Sequence, residues 1–312
     1  MSLIRRLTSL AAALLLALPA SAWNFTGHLI IAEIAYERLT PQARARVDQM
    51  IQDHPDYSGI FTQGAAGVTK DDPAARARYA FIHAAPWPDM LRGDMRFYDE
   101  ASADAHPTPL LPGFPDMGRH LTWHYFDMGI SGDGTPVMEM PPPHLMTELP
   151  RLLAEIAAAD SRQAAYDLPW LEHLVGDVHQ PLHLTSRFLR SQPKGDAGGN
   201  LVFVEPGRNL HSVWDGAASP RDLNDDDIVR YAREIAADYP AGTTLSLDPA
   251  DWAAESLELD KSAVYTFGLE TGTKDLPLQL PAAYEEKAKR IARQRVAIAG
   301  YRLALVLNKY LQ

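Results

Sequence analysis

The sequence contains no cysteine among its 312 residues. Disulfide bonds and thiolate metal ligands are therefore excluded, so the chain must be stabilised by its core and by other kinds of ligand. An excess of positive charge is also missing, because 29 Lys and Arg stand against 40 Asp and Glu. A broad basic surface for nucleic acid is thereby excluded, and any phosphate site needs local positive charge, which bound metal ions can supply.

Long apolar stretches are missing after residue 22. The N-terminal segment combines Arg5 and Arg6 with apolar residues 7–20 and a cleavage signal, Ala20-Ser21-Ala22. These features predict a signal peptide over residues 1–22, and the alternative is an uncleaved membrane anchor. Cleavage would make Trp23 the first residue and change the formal net charge from −11 to −13, since 27 Lys and Arg would remain against 40 Asp and Glu. We therefore expect an exported protein, periplasmic or secreted, without membrane attachment after cleavage.

Apolar residues recur at helical spacing in four segments, which predicts a mainly α-helical fold. They are Ile31, Ile34, Ala35 and Leu39; Leu145, Leu149, Leu152, Leu153 and Ile156; Trp170, Leu171, Leu174, Val175 and Val178; and Ala292, Val296, Ala299, Leu303, Val306 and Tyr310. Pro41 is expected to break the first helix. Residues 101–118, 129–143 and 185–200 are expected to be loops, and residues 201–204 predict a small β-hairpin. No repeat or long linker divides the chain, so we expect one domain over residues 23–312.

The 11 histidines are densest between residues 173 and 183. His173 and Asp177 are four apart, so in a helix they share one face and can bind one metal ion, or two if the carboxylate bridges. Pro181 has no N–H and should kink or end the helix before His183. His179 is two positions from Asp177 and would point elsewhere. The alternative for this segment alone is a polar helix face with hydrogen-bonded histidines.

The spacing His-x-x-x-Asp recurs at His211 and Asp215. Neutral imidazole and carboxylate are ligands that suit zinc. Two shorter segments, Asp89 with Arg92 and His124 with Asp127, could by themselves be ordinary structure. An N-terminal Trp23 would in addition offer its α-amine to a metal, with His28 five residues further on.

In this order the segments resemble the S1/P1 nuclease family of zinc-dependent nucleases, which is related in fold to bacterial zinc-dependent phospholipase C. The matching motifs are Trp23 with His28; W-x-D-x-x-R at 87–92; H-Y-x-D at 124–127; H-x-x-G-D-x-H-Q-P-L-H at 173–183; G-G-N at 198–200; and N-L-H-x-x-W-D at 209–215. Residues 299–303 also look like the family's last helix. The resemblance covers nearly the whole chain after residue 22, and it implies a single helical domain of the zinc phospholipase C and nuclease type.

The resemblance implies three zinc ions per chain. The first would be held by Asp89, His124, His173 and Asp177; the second by His183, His211 and Asp215; the third by the amine and carbonyl of Trp23, by His28 and by a bridging Asp177. It also implies that Asp89 and Arg92 are catalytic, with Arg92 facing the phosphate. Tyr125, Asp127, Gly198 and Asn200 match positions that bind the nucleobase or lie beside it. The other histidines are expected to bind no metal: His54, His83, His106, His120, His144 and His179.

The activity that the resemblance implies is endonucleolytic cleavage of single-stranded RNA and DNA to 5′-phosphate products, and related enzymes also remove 3′-phosphates from nucleotides. No protein partner is indicated. Two alternatives stay open: a zinc-dependent phospholipase C with a different pocket, and a non-catalytic exported zinc-binding protein. The stretch between His183 and Gly198 looks longer than in the fungal members and carries Arg187, Arg190 and Lys194, which leaves the roles of Gly198 and Asn200 open.

Overall fold

The computed structural model describes residues 23–65, 71–158, 160–268 and 270–312, and the predicted signal peptide lies outside the described residues. Over these ranges α-helices make up most of the regular structure. They are α1 (Phe25–Tyr36), α2 (Pro41–Asp53), α3 (Pro73–Ala84), α4 (Trp87–Met90), α5 (Leu145–Glu155), α6 (Ser161–Asp177), α7 (Leu210–Asp215), α8 (Asp225–Asp238), α9 (Pro249–Leu259) and α10 (Ala282–Tyr310). The mainly α-helical fold is confirmed. None of the described helices is long and apolar enough to cross a membrane.

Local capping explains where the second helix begins. The Thr40 hydroxyl accepts a hydrogen bond from the backbone N–H of Ala43, and Pro41 occupies the first turn of α2. A proline is well tolerated there because the first turn leaves its N–H groups unpaired anyway. Pro41 therefore opens α2 rather than ending α1, which already stops at Tyr36.

Helix α1 lies in the interior and carries one candidate ligand, His28. Its residues are buried except for Phe25, and it packs against α10, α8 and α3. The approach to α10 is close, because a Cβ on Gly300 would come within 2.6 Å of Ile34. The side chain of His28 is fully buried as a result.

Helix α6 ends before Pro181, as the sequence predicts. It stops at Asp177, and a short 3₁₀ turn, Pro181–His183, follows it. The chain between these two elements makes one tight turn, in which the N–H of Gln180 donates to the carbonyl of Asp177. Asp177 and His183 are therefore presented from one compact, buried segment.

Two pairs of short strands complete the fold. The predicted hairpin is present, slightly later than expected, as β3 (Phe203–Glu205) antiparallel to β4 (Arg208–Asn209). The prediction of plain loops over residues 129–143 and 185–200 is wrong at their starts, because β1 (Met128–Ser131) pairs in parallel with β2 (Thr185–Phe188). A strand of four residues has too short an alternation of apolar and polar side chains to be recognised, and β1 and β2 are far apart along the chain.

A charged histidine fixes the loop that leads to His124. His120 Nδ1 lies 3.0 Å from Glu100, and its Nε2 lies 3.0 Å from Asp116. Its ring stacks on Trp123 with centroids 3.9 Å apart. Burial opposes protonation, but the hydrogen bonds to Asp116 and Glu100 outweigh it and raise the pKa of His120 to about 9.

Candidate metal centre

Candidate ligands from several separate segments meet at the C-terminal end of α6. Asp177 is the common neighbour: its Oδ1 lies 3.5 Å from His28 Nε2 and 3.9 Å from His183 Nδ1. Its Oδ2 lies 3.4 Å from His124 Nδ1 and 3.3 Å from His173 Nε2. All five side chains are buried, and neither oxygen of Asp177 has a hydrogen-bond partner. A buried carboxylate surrounded in this way suits a bridge between metal ions.

Asp89 approaches the same cluster from α4. Its Oδ1 lies 3.7 Å from His124 Nδ1 and 3.8 Å from His173 Nε2. Two overlapping triplets can each hold an ion with all donor atoms within 4.8 Å of one another: His124, His173 and Asp177, and His28, Asp89 and His173. The side chains assigned by resemblance to the first and third zinc ions are thus brought together, but His28 also groups with Asp89 and His173.

A separate triplet is formed by His183, His211 and Asp215, the ligands assigned by resemblance to the second zinc ion. His211 Nε2 lies 3.1 Å from His183 Nε2 and 3.5 Å from Asp215 Oδ2. His211 and Asp215 are one turn apart on α7, whose N-terminus is capped by Asn209. The recurring His-x-x-x-Asp spacing therefore does bring both side chains to one helix face.

Trp23 lies beside both groups. Its indole N–H donates to the carbonyl of Gly176, the residue before Asp177, at 3.0 Å. The backbone N–H of the next residue, Asn24, donates to the carbonyl of Asp215 at 3.1 Å. The beginning of the described chain is thus fixed between two of the carboxylate ligands.

The imidazoles fit a metal because their hydrogen bonds leave acceptor nitrogens facing other acceptors. Nδ1 of His173, His183 and His211 lies 2.6–2.9 Å from the backbone carbonyls of Ala85, His124 and Gly198 respectively. Each Nδ1 therefore carries the proton, and each Nε2 presents a lone pair. The Nε2 atoms of His183 and His211 face each other at 3.1 Å, whereas that of His173 lies 3.3 Å from a carboxylate oxygen of Asp177 and 2.9 Å from His124 Nδ1. The facing lone pairs of His183 and His211 repel one another unless a cation lies between them.

The charge states agree with this fit. Burial lowers the pKa of His173 to about 3, and it lowers the pKa values of His28, His124 and His183 well below their usual range. These imidazoles are therefore neutral at neutral pH, which is the form that binds metal. Burial also raises the pKa of the Asp177 carboxyl, as expected for a carboxylate without its cation.

Arg92 lies at the mouth of the centre. Its Nε donates to Asp89 Oδ1 at 3.0 Å, and its Nη2 is buried without a hydrogen-bond partner. The side chains of Asp89 and Arg92 are 14% and 17% exposed, whereas that of Asp177 is fully buried. An incoming ligand would therefore meet Asp89 and Arg92 first.

The two predicted base-binding residues on the 124–127 segment lie next to the metal ligands. The backbone N–H of Phe126 donates to the carbonyl of His183, so Tyr125 and Asp127 flank the point where the 3₁₀ turn is attached. Both side chains are partly exposed. Burial, with a contribution from the charge of Asp196, raises the pKa of Asp127 to about 6.

Gly198 and Asn200 are used differently from each other. The Gly198 carbonyl accepts a hydrogen bond from His211 Nδ1, and the glycine has a φ of +60°. A Cβ at this position would collide with the carbonyl oxygen of Leu182, so only glycine allows the approach. The Asn200 amide donates to the carbonyl of Ala197 and accepts from Asn209. Gly198 thus orients a metal ligand, and the Asn200 amide is bonded within the protein.

Sequence reasoning assigned no role to Gln180 and Gly176, although both lie in the histidine-rich motif. The Gln180 amide donates to Asp215 Oδ1 at 2.7 Å and accepts from the N–H of Leu182, so it ties the two halves of the centre together. A Cβ on Gly176 would come within 2.8 Å of the His28 ring. Their positions in the motif were the available signal, but their contacts depend on other segments.

His179 points away from the cluster, as predicted. Its Nδ1 donates to the carbonyl of Val175, and its Nε2 accepts from Arg302 on α10. Arg302 and Arg295 both bind Glu255, and Arg295 also donates to the His179 carbonyl. These contacts fix the turn between Asp177 and His183 from behind.

A helical domain that gathers neutral imidazoles and carboxylates beneath a partly exposed arginine is typical of metal-dependent hydrolases. Residues 23–312 match the model of the S1/P1 Nuclease family, so the chain belongs to the S1/P1 nuclease family. Membership confirms the resemblance of the motifs, and the matched family is one of nucleases, the class of enzyme that the motifs predict. S1/P1 nucleases are zinc enzymes, and the histidine and aspartate groups described above could hold such ions.

Curated relatives include Endonuclease 3 of Arabidopsis thaliana, 30% identical over 46% of this chain and 50% of that protein. Nuclease S1 of Aspergillus oryzae is 26% identical over 49% of this chain and 57% of that protein. The chain therefore spans about half the length of the curated relatives that it matches. Among solved structures, the alpha-toxin of an avian strain of Clostridium perfringens is similar with a TM-score of 0.39 and 11% identity, over 94% of this chain and 66% of that chain.

Proposed function

We propose that the chain is an exported, zinc-dependent endonuclease that hydrolyses single-stranded RNA and DNA to 5′-phosphate products. The observation that carries the proposal is Asp177, a buried carboxylate without hydrogen-bond partners that lies within 3.9 Å of four imidazoles. The S1/P1 nuclease family supports the same assignment. Removal of 3′-phosphates from nucleotides is a second activity that the resemblance implies for this centre.

Three zinc ions account for the ligand groups. Asp177 would bridge two of them, with His124, His173 and Asp89 on one side and His28 with the amine and carbonyl of Trp23 on the other. His183, His211 and Asp215 would hold the third. Three Zn²⁺ contribute +6, whereas the carboxylates of Asp89, Asp177 and Asp215 contribute −3. Such a centre is locally positive within an acidic protein, so it can attract a phosphodiester without a basic surface.

When bound, zinc would supply positive charge that lowers the pKa of water and stabilises the negative charge that develops on the phosphate oxygens and the leaving oxygen. The protein's own part is to place the substrate. Arg92 can direct its unpaired Nη2 at a non-bridging phosphate oxygen, while its bond to Asp89 keeps the guanidinium in place. The backbone carbonyls behind His173, His183 and His211 hold those rings in one tautomer.

Preference for single strands follows from the position of the base-binding residues. Tyr125 and Asp127 lie beside His183, so a base beside them would have its own phosphate close to the metals. A base can stack there only when it is not paired within a duplex. The Asp127 carboxyl offers a hydrogen-bonding group to the edge of that base.

The test is the rate of hydrolysis by purified zinc-loaded protein of four substrates: single-stranded RNA, single-stranded DNA, duplex DNA and phosphatidylcholine. We expect both single strands to be cleaved faster than the duplex, with 5′-phosphate ends, and phosphatidylcholine to be left intact. Hydrolysis of phosphatidylcholine alone would support the phospholipase alternative. Binding of zinc without hydrolysis of any substrate would support a non-catalytic zinc-binding protein.

A further inference from the structure

A cleft of about 480 Å³ adjoins the metal centre on the other flank of α7. It lies between α7, residues 216–221, α8 and α10, and Ser212 and Gly216 line it. Each of these two residues directly follows a candidate ligand, His211 or Asp215. The cleft and the metal centre are therefore separated by roughly one helix diameter, about 10–12 Å.

The cleft has positive side chains that the fold does not neutralise. Four cations line it, but Arg208 pairs with Glu205 and Glu285, and Arg293 pairs with Asp238. The remaining two, Arg221 and Lys289, make no side-chain hydrogen bond or ion pair with any residue that the structure describes. Glu285 and Glu286 also line the cleft, so its lining has four cations against two carboxylates, an excess of positive charge in a chain with 40 acidic and 29 basic residues.

The wall that carries Arg221 is rigid and polar. The Asn24 side chain donates to the carbonyl of Ser219, and the Thr26 hydroxyl donates to the carbonyl of Arg221. The Ser219 hydroxyl is buried, with only 7% of the residue exposed, and it has no hydrogen-bond partner among the described residues. A guanidinium on a fixed backbone, in a cleft also lined by a serine with an unsatisfied hydroxyl, suits an anion with several acceptor oxygens.

Asn24 connects the cleft to the metal centre. Its backbone N–H donates to the carbonyl of Asp215, and its side chain donates to the carbonyl of Ser219, which lines the cleft. The cleft is consequently a neighbour of the metal centre rather than a remote surface feature.

We propose that this cleft is a strand-binding subsite, in which Arg221 and Lys289 each hold a backbone phosphate of the substrate a few nucleotides from the scissile bond. Tyr231, which also lines the cleft, adds an aromatic side chain that a base of the strand can contact. This inference rests on the proposed nuclease function. A subsite at this position makes the enzyme favour long strands over dinucleotides, because a dinucleotide is too short to reach both the metals and the cleft.

The test compares wild type with the double variant Arg221→Gln/Lys289→Gln on a dinucleotide and on a single strand of about twelve nucleotides. Each phosphate contact contributes about 0.7 to the slope of log affinity against log salt, so losing two should lower that slope by about 1.4. Between about 50 and 200 mM salt, wild type should then lose about sevenfold more affinity for the long strand than the variant does. kcat/KM on the dinucleotide should stay within about twofold.

Arg290→Gln is the matched control, because Arg290 follows Lys289 on α10, is exposed and does not line the cleft. It should behave as wild type on both substrates, and Arg221→Lys/Lys289→Arg should restore the salt slope. An unchanged salt slope in the Gln double variant overturns the proposal. An equal loss of kcat/KM on both substrates also overturns the proposal, because it would mean that the two side chains act on the metal centre and not on the long strand.

A binding measurement distinguishes a failure of the proposed subsite from a failure of the proposed nuclease function. Fluorescence anisotropy of the zinc-loaded protein with a labelled phosphorothioate strand reads the cleft without requiring cleavage. Weaker binding by the Gln double variant than by Arg290→Gln supports the subsite even if the protein cleaves nothing. Equal binding overturns the subsite even if wild type proves to be a nuclease.

Discussion

Replacing Asp177 by Asn should have opposite effects on stability with and without zinc. The change keeps the shape of the side chain but removes a charge and replaces an acceptor oxygen by a donor N–H. Both oxygens of Asp177 are buried without hydrogen-bond partners and lie 3.3–3.9 Å from imidazole nitrogens. Without zinc, an Asn amide can donate to Nε2 of His173, which carries no proton because Nδ1 of that ring donates to the carbonyl of Ala85. We therefore expect the metal-free variant to be more stable than metal-free wild type by about 1–3 kcal/mol, the usual cost of an unsatisfied buried polar group.

With zinc the order should reverse. A ligand present at about a thousand times its Kd stabilises the folded state by about 4 kcal/mol. Asp177 is the carboxylate proposed to bridge two ions, so the Asn variant should lose at least one of these contributions and its activity. Thermal denaturation in chelator and in zinc, together with elemental analysis of bound zinc, measures both effects.

Asp260→Asn is the matched control for this experiment. Asp260 is also a fully buried carboxylate, with the Thr185 hydroxyl beside it, but it belongs to none of the three candidate metal groups. Its substitution should change stability in the same direction with and without zinc and leave the zinc content unchanged. If Asp177→Asn is less stable than wild type in chelator, or keeps all of its zinc, the reasoning about facing acceptors is wrong.

Four further outcomes are expected. Elemental analysis of protein beginning at Trp23 should find about three zinc ions, and one or none would rule out the trinuclear assignment. Protein with one extra residue before Trp23 should lose one zinc ion and most of its activity, because an amide nitrogen cannot bind metal as an amine can; full activity with three ions would refute this. His179→Ala should destabilise the fold by about 2–4 kcal/mol but lower kcat far less than Asp177→Asn, and equal loss would mean that the helix face is misread. His120→Asn should cost about 1–2 kcal/mol near pH 6, after allowance for screening at its partly exposed partners. Because the pKa of His120 is raised in the folded state, that cost should shrink as pH rises from about 6.5 to about 9, and a pH-independent difference in unfolding free energy would contradict it.

Much of the metal centre follows from local rules that a sequence displays. The pairing of His173 with Asp177, and of His211 with Asp215, needs only the helical period, and the end of α6 before His183 needs only a proline. The apolar spacing of α5, α6 and α10 similarly predicts helices, because each buries one stripe of residues. These features involve neighbours along the chain, so the residues themselves specify them.

The tertiary structure alone decides which segments meet. The parallel pairing of β1 with β2 attaches Asp127 beside His183, although neither four-residue strand is recognisable in the sequence. The Gly198 carbonyl selects the tautomer of His211, and Asp177 gains neighbours from α1 and from the turn at His124. Such contacts join residues far apart along the chain, and their distances depend on how whole helices pack. Composition and spacing therefore specify which residues can bind metal, whereas packing decides which of them share an ion.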